Sequence, residues 1–528
     1  MMNIKRSVIF LLLLGSAFTS CKKNLDEANW DVDGLTPIFK TSLDINNLLA
    51  DSLIQKNADN SLKLVYSNRF YNFNVDSLLD VPDTTVRSSF KIPFGSINAT
   101  PGFQLFNSTS DTKYAADGAA LNKLFINSGA LTFLIKSKVE EKTDFTYSIP
   151  SATKGGTAFT FSTTVPASDG VNDGVYTGSF DIAGYDFDLT GQYHNTVNAF
   201  TTSVQVGINP NGNAVTITPA DSIEVFLTFS AVVPSYAKGY FGMQNSSVAS
   251  TSNFDLFNRI RAGAIGLENT TVTLKLTNGI GVDATAHINS LTSFNTRTNT
   301  SVSLVNNIVG APININRALE SPYTPSFYYN VMNSNNSNIK ALLENLPDKI
   351  SYNIDVAINP NGNISNGNDF VFTDKLIDAS LDVEIPLSFF ATNLTLIDTV
   401  DVSLTEQTEH NRVNSGTLTL KVDNGFPLDA SIQLYLLNEN GNVYDSLLTS
   451  TLVEAAPVDG NLIVTSKKLS KLIIPLNKQK VDKVFATKKI LVKTIFNTVS
   501  NPQYVKIYSD YTMDLKLIAN FNYNIQPK

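Results

Sequence analysis

Three histidines, one cysteine and 47 carboxylates are the groups from which this 528-residue chain could build chemistry. His410 follows Glu406 and Glu409, and a Glu-x-x-x-His spacing offers two ligands to zinc on one helix face. Two ligands fall short of the three or four such a site needs, and TEQTEHNR reads as a polar connector. A solvated charge cluster is therefore expected there. His194 stands apart, and His287 lies in an alternating stretch that places it on a solvent-facing or satisfied position. The segment GIGVDA at 279–284 reads G-x-G-x-x-A, the pattern that cradles a dinucleotide phosphate. Its counterpart later in the chain is GFPLDA, with Pro427 where the second glycine belongs. The residues after Ala284 alternate as a strand and offer no helix N-terminus to a pyrophosphate. The chain contains no G-x-S-x-G, H-E-x-x-H or P-loop. Carboxylate pairs for glycoside hydrolysis meet only in a fold, and the sequence selects none. No catalytic, cofactor-binding or metal-ligating residue is assigned, and no cofactor is expected.

The cysteine is different. Lys5 and Arg6 precede an uninterrupted apolar run from Val8 to Leu14, and small and polar residues then lead to Cys21. The run is too short for a membrane span of about 20 residues and has the form of a secretory signal. Cys21 stands at the cleavage point, where a thiolate accepts a thioether-linked diacylglycerol, and Phe18-Thr19-Ser20-Cys21 resembles a bacterial lipobox with Phe18 in place of the usual leucine. With one cysteine, no disulfide can form within the chain, so the core must hold the fold. Cleavage before Cys21 leaves 37 basic against 47 acidic residues, a formal charge of −10. That balance argues against nucleic acid and against electrostatic binding to anionic lipid, leaving the acyl chains as the membrane contact.

The elements that would position any site read as strands. LKLVY at 62–66, TLTLKV at 417–422 and SIQLYLL at 431–437 alternate with period two and are rich in β-branched and aromatic residues. Turn dipeptides such as Asn440-Gly441 separate such runs. The chain also repeats itself. TLKLTNGIGVDAT at 273–285 aligns with TLKVDNGFPLDAS at 419–431, and NSGTLTL at 414–420 with NSGALTF at 127–133. INPNGN occurs at 208–213 and at 358–363, with a degenerate third copy at Asn501-Pro502. Two motifs alternating three times mean tandem copies of a domain-sized unit. In Asn-Pro-Asn-Gly, proline presets one turn position, Asn211 is suited to a left-handed conformation and Gly212 closes the turn. A structural, hairpin-type turn is expected. Calcium is disfavoured because neither hexapeptide contains Asp or Glu. SNIKALLENLP, capped by Ser337 and ended by Pro347, and NKQKVDKVFATKK read as short amphipathic helices, one per unit.

The expected fold is thus all-β with a few short helices: tandem β-sandwich-like units in an elongated, multi-domain chain. The divisions are a signal peptide at 1–20, a lipidated tether at 21–35, an N-terminal β-rich segment at 36–125, and repeat units at 126–265, 266–412 and 413–528. Phenylalanine outnumbers tyrosine, 32 to 19, which fits core better than sugar platforms. The densest aromatic stretch holds Tyr176, Tyr185, Phe187 and Tyr193. Ser52, Ser77, Thr84, Ser222, Thr399 and Ser446 each follow aspartate in a form that resembles the O-glycosylation motif of exported Bacteroidota proteins.

Three stretches together resemble a family of Bacteroidota outer-membrane or surface lipoproteins: the lipobox at Cys21, WDVDGLTPIFKTSLDINNLLADSL at 30–53, and GTLTLKVDNGFPLDASIQLYLLNENGNVYDSL at 416–447. The last is also similar to small β-sandwich modules of the LEA type. The resemblance implies an outer-membrane location, lipid-anchored, on the surface or periplasmic face, and a repeat architecture; it implies no activity. The function expected is non-enzymatic binding or scaffolding, with an envelope protein or a glycan as partner and the membrane contacted through Cys21. One alternative is a carrier of lipid or another hydrophobic ligand, which would need a continuous apolar cavity. Another is a surface glycoside hydrolase or lyase, which would need carboxylates converging in a cleft.

Overall fold

The computed structural model describes residues 30–47, 49, 51–72, 81–91, 95–114, 118–375, 377–402, 404, 411–447, 451–500 and 502–525. Period-two alternation governs nearly all of them. Strand Lys349–Ile358, for example, alternates half-buried and buried positions without a break. Each such strand sends every second side chain into a core and faces water with the rest. The outcome is all-β and multi-domain, as the sequence indicates.

Three sandwiches share one topology. One sheet of the first sandwich runs in the order Thr84–Lys91, Ser222–Tyr240, Ala120–Ser137, Gly174–Asp181, antiparallel throughout. The corresponding sheet of the second runs Leu62–Asn72, Ile377–Pro386, Thr271–Asn278, Ser326–Met332. That of the third runs Trp30–Leu43, Met513–Ile525, Asn411–Asn424, Lys468–Leu476. The opposing layers are built on three further strand trios: Gln104–Lys113, Ala199–Ile208 and Thr143–Lys154; Gln244–Asn253, Lys349–Ile358 and Ala284–Asn295; Ser388–Asp401, Lys489–Thr498 and Leu428–Leu437. In the first sandwich the short strand Asp186–Asp188 pairs with both layers and joins them into one ten-stranded sheet. Ring pairs close the layers: Phe133 on Tyr147 in the first, Phe70 on Tyr352 in the second.

The outer strand of the first sheet comes from the N-terminal part of the chain in every sandwich, and in reverse order. Residues 30–43 complete the third sandwich, 62–72 the second and 84–91 the first. The chain runs out along all three units and then folds back through them. Residues 36–125 therefore contribute strands to sheets of all three sandwiches.

The repeated Asn-Gly motif marks a corner between layers. Asn278 and Asn424 are wholly buried. Asn278 donates to the carbonyls of Val282 and Asn316, and its Oδ1 accepts from the Ile280 amide. Asn424 does the same with Leu428, Glu454 and the Phe426 amide. One side chain thus satisfies three backbone groups that the crossing would otherwise bury unpaired.

INPNGN is structural, but it differs from the expectation in two ways. It leads out of strand Ala199–Ile208 or Lys349–Ile358 toward a long strand that does not pair with it, Ser222–Tyr240 or Ile377–Pro386, so it is a corner rather than a hairpin. Asn211 is not left-handed, because the turn closes with Gly212 N–H donating to the Asn209 carbonyl at 2.9 Å, as Gly362 does to Asn359. Asparagine first, proline second and glycine fourth are the preferences of a type I turn, which needs no positive φ. The third copy begins at Asn501, outside the described residues.

Helices occupy Ile339–Glu344 in the second sandwich and Lys478–Ala486 in the third. The first helix starts after Asn338 rather than Ser337, and Asn338 spends its Oδ1 on the Val305 amide. The second is capped by Asn477 accepting from the Lys480 amide. The expectation of one helix per unit fails in the first sandwich, where residues 189–198 form a turn-rich loop in its place. That stretch, LTGQYHNTVN, has no 3.6-residue apolar period and carries Gly191, His194 and Asn198 at positive φ.

Candidate functional site

Where the helix is missing, a cleft opens. It has a volume of about 840 Å³ and lies on the first sandwich beside its joint with the second. Its floor takes Lys123 from strand Ala120–Ser137, Asp186 and Asp188 from the short strand Asp186–Asp188, and Lys238 from strand Ser222–Tyr240. One wall is Pro150, Ser151 and Thr153, at a shift in strand register between Ile149 and Thr153. The other wall is the loop, through Thr190, Gly191, Gln192 and His194.

The loop is pinned from beneath. Asp111 accepts from the Gln192 amide at 2.8 Å and from Thr201 Oγ1 at 3.1 Å. Asn198 donates to the Ala119 carbonyl and accepts from the Leu121 amide. Asp188 takes both the amide and the hydroxyl of Thr190, at 2.8 and 2.5 Å. His194 Nδ1 lies 2.8 Å from Thr190 Oγ1 and 3.1 Å from Asp188 Oδ2. A nucleophilic triad places hydroxyl and carboxylate on opposite ring nitrogens. Here both share Nδ1, and the hydroxyl gives its proton to the carboxylate. The group orders the loop and is not arranged for acyl transfer.

Along the floor, Lys123 Nζ pairs with Asp186 Oδ2 at 2.8 Å, and the other oxygen, Oδ1, is buried without a hydrogen-bond partner. Beside them Lys238 pairs with Glu320 of the second sandwich at 2.7 Å, and the Tyr236 hydroxyl bonds the same carboxylate. Burial pushes the Glu320 carboxyl up, but the hydrogen bonds from Lys238 and Tyr236 and the Lys238 charge outweigh it, leaving it below the usual range. Burial first, and then the bond to Glu320, push the Tyr236 phenol well above its ordinary value. Asn122 reaches the Gly367 carbonyl, and strand Asp369–Phe372 pairs with residues 236–239. The cleft is therefore braced by the joint between two sandwiches.

Two other cavities are small and lined by apolar side chains. One of about 30 Å³ lies among Ile45, Leu64, Phe257, Leu387 and Phe389 at the second joint, and another of about 30 Å³ among Tyr114, Phe187, Phe200 and Phe229. Each holds about one water-sized probe and no acyl chain.

The residues singled out in the sequence lie elsewhere, except His194. His287 is half-buried on strand Ala284–Asn295, opposite Asp355. GIGVDA is the corner organised by Asn278. Ser52 and Thr399 are exposed. Thr84 and Ser222 are half-buried at strand starts, and Ser446 is half-buried with its carbonyl held by Lys480. Phe187 is buried in the core, Tyr176 and Tyr185 are half-buried against it, and Tyr193 is 75% exposed. Cys21, Ser77, Glu406, Glu409 and His410 lie outside the described residues. Lys123, Asp186, Asp188, Thr190 and Lys238 were not legible as a site. The available signal was the absence of a helical period at 189–198, where the other two repeats have one.

Among the described residues no group of three or more His, Cys, Asp or Glu could hold a metal ion, and no helix is long and apolar enough to cross a membrane. No family model matches the chain, and no curated protein matches it. Solved structures similar to it include a "putative secreted protein" from Parabacteroides distasonis, at 15% identity over 54% of this chain and 92% of that one, with a TM-score of 0.28. The cowpea mosaic virus top component is similar at 10% identity over 55% of this chain and 91% of that one, with a TM-score of 0.14.

Proposed function

We propose that the chain is an extracytoplasmic, lipid-anchored binding protein whose ligand occupies the cleft of the first sandwich. The carrying observation is that cleft: a solvent-open volume of about 840 Å³ lined mostly by polar residues from strands and from the loop 189–198. Ligand sites of roughly 300–1,000 Å³ are the common size. The small volume of the apolar cavities does not favour a lipid carrier, and the engagement of Asp186 by Lys123 and Asp188 by Thr190 and His194 does not favour a glycoside hydrolase.

The address rests on Cys21. With a diacylglycerol there, the reversed threading would turn the third sandwich toward the membrane. Eight residues, nine steps of the chain, separate Cys21 from Trp30, a reach of roughly 30 Å at most. Trp30 begins the strand that completes the third sandwich. That unit then lies next to the bilayer, and the cleft sits on the unit farthest along the chain of sandwiches.

Fatty-acid labelling and membrane fractionation of the wild type and Cys21→Ala test the anchor. Loss of label and release of the variant are expected. Equal labelling and retention would contradict it. Protease shaving of intact cells against lysed controls then assigns the surface or periplasmic face.

A further inference from the structure

We infer that the outer face of the third sandwich is a membrane-docking surface, on which a row of four lysines meets the anionic phosphate headgroups of a bilayer. This goes beyond the cleft and builds on the reading of Cys21 as the anchor.

Sheet register carries the first part. Lys40 stands opposite Lys516, Lys516 opposite Lys421, and Lys421 opposite Lys471, so each of four adjacent strands supplies one lysine. Their chain neighbours Phe39, Leu515, Leu517, Leu420, Val422 and Leu472 are buried, which turns all four lysines outward. The row spans about 14 Å at ordinary strand spacing. Among the described residues, none of the four has a salt-bridge partner. Of the acids two positions away on the same strands, Asp514 is held by Lys467 at 2.6 Å, and Asp423 is exposed.

Like charges directly opposite one another destabilise a sheet, so the fold gains nothing from this row. The other sandwiches do without it. The corresponding row is Arg69, Ser380, Lys275 and Tyr329 in the second, and Arg87, Phe226, Leu134 and Thr177 in the first. The acidic balance of the whole chain argues against anionic lipid, but register gathers these four cations on one face.

The apolar neighbours select the partner. Leu469 and Ile473 flank Lys471 on the same outward face, and the next row across the sheet holds Pro37, Ile518 and Ile473. Ile473 is 71% exposed, and Leu35, one row further, is 77% exposed. A soluble polyanion has no use for open leucine and isoleucine. A bilayer surface takes both, since its phosphates attract ammonium groups while apolar side chains enter the headgroup boundary.

Position is the third observation. Leu35, Pro37 and Lys40 belong to the strand that begins at Trp30, nine chain steps from Cys21. A lipid at Cys21 would hold this face near the bilayer at high effective concentration, so modest affinity suffices.

The test is co-sedimentation with vesicles of phosphatidylcholine alone or of an equal mixture with phosphatidylglycerol. Every protein is the full mature chain with Cys21→Ala, so that no acyl chain contributes. The row variant combines Lys40→Gln, Lys421→Gln, Lys471→Gln and Lys516→Gln. A control of equal net charge combines Lys56→Gln, Lys91→Gln, Lys113→Gln and Lys138→Gln, at exposed positions of the other two sandwiches. Binding to the mixed vesicles alone is expected, weakened about tenfold or more in the row variant and unchanged in the control. It should fall as added salt shortens the screening length. The row variant should melt no lower than its parent, because it removes opposed like charges. No binding to mixed vesicles, or equal binding by row variant and control, would overturn the inference. Binding that survives high salt would overturn it without reference to any variant. Row-dependent binding to heparin with none to vesicles would overturn the membrane assignment in favour of a soluble polyanion. Fatty-acid labelling of the wild type separates the two readings: label without vesicle binding defeats this inference alone, and vesicle binding without label defeats the anchor alone.

Discussion

At the scale of the residue, two buried asparagines do the same work in two sandwiches. Asn278 and Asn424 each close a layer-crossing corner by bonding three backbone groups. Alanine at either position leaves two carbonyls and an amide unpaired. We expect each substitution to cost about 2–4 kcal/mol in urea unfolding, well above the effect of a surface change. A cost under about 0.5 kcal/mol would mean that the backbone finds other partners. Glu320 gives a pH signature. Its folded pKa lies below the unfolded value, so its contribution is present above the ordinary carboxylate range and is lost as pH falls through the folded value. Amide protection factors at residues 236–239 and 369–372, corrected for the intrinsic exchange rate at each pH, should therefore fall at acid pH in the wild type. In Glu320→Gln they should be low at neutral pH already and change less on acidification. Identical profiles for the two proteins would remove Glu320 from the joint.

At the scale of the element, the N-terminal strands are staples. Thirteen residue pairs join Trp30–Leu43 to Met513–Ile525. Removing residues 30–43 would leave the Met513–Ile525 edge open, an invitation to aggregation, with the Thr84–Lys91 pairing in the first sandwich intact. Proteolysis should then cut within 411–525 first, and a first sandwich that fell equally fast would contradict independent stapling. The helix Lys478–Ala486 should lose about 1 kcal/mol in Asn477→Ala through its cap. The sequence made some of this readable and hid the rest, for physical reasons. Strand alternation and the two helices are local, so Ile339, Leu342, Val481 and Val484 could be seen facing a core. The Asn278 and Asn424 corners were visible as repeats. Pairing of Trp30 with Ile525 was not, because nothing local in a strand names its partner. The cleft was hidden for a related reason: Lys123, Asp186 and Lys238 are far apart in the chain and meet only through sheet register. The turn showed a third limit, since INPNGN fixed a tight turn while the layers it joins were set by the strands on either side.

At the scale of the whole molecule, the reversed threading relates the proposed anchor to the cleft. The strand nearest Cys21 belongs to the C-terminal sandwich, and the cleft belongs to the sandwich at the other end of the series. Because Cys21 is the only native cysteine and would carry lipid, a single introduced cysteine can be labelled cleanly. Val171, 89% exposed in a loop of the first sandwich, marks the far end, and exposed Gln479 marks the near one. The most direct measurement is quenching of a fluorophore at Val171→Cys or Gln479→Cys by acceptor lipid, with the lipidated protein in nanodiscs. The account predicts strong quenching at 479 and little at 171. Equal quenching, or the reverse order, would contradict the outward presentation of the cleft.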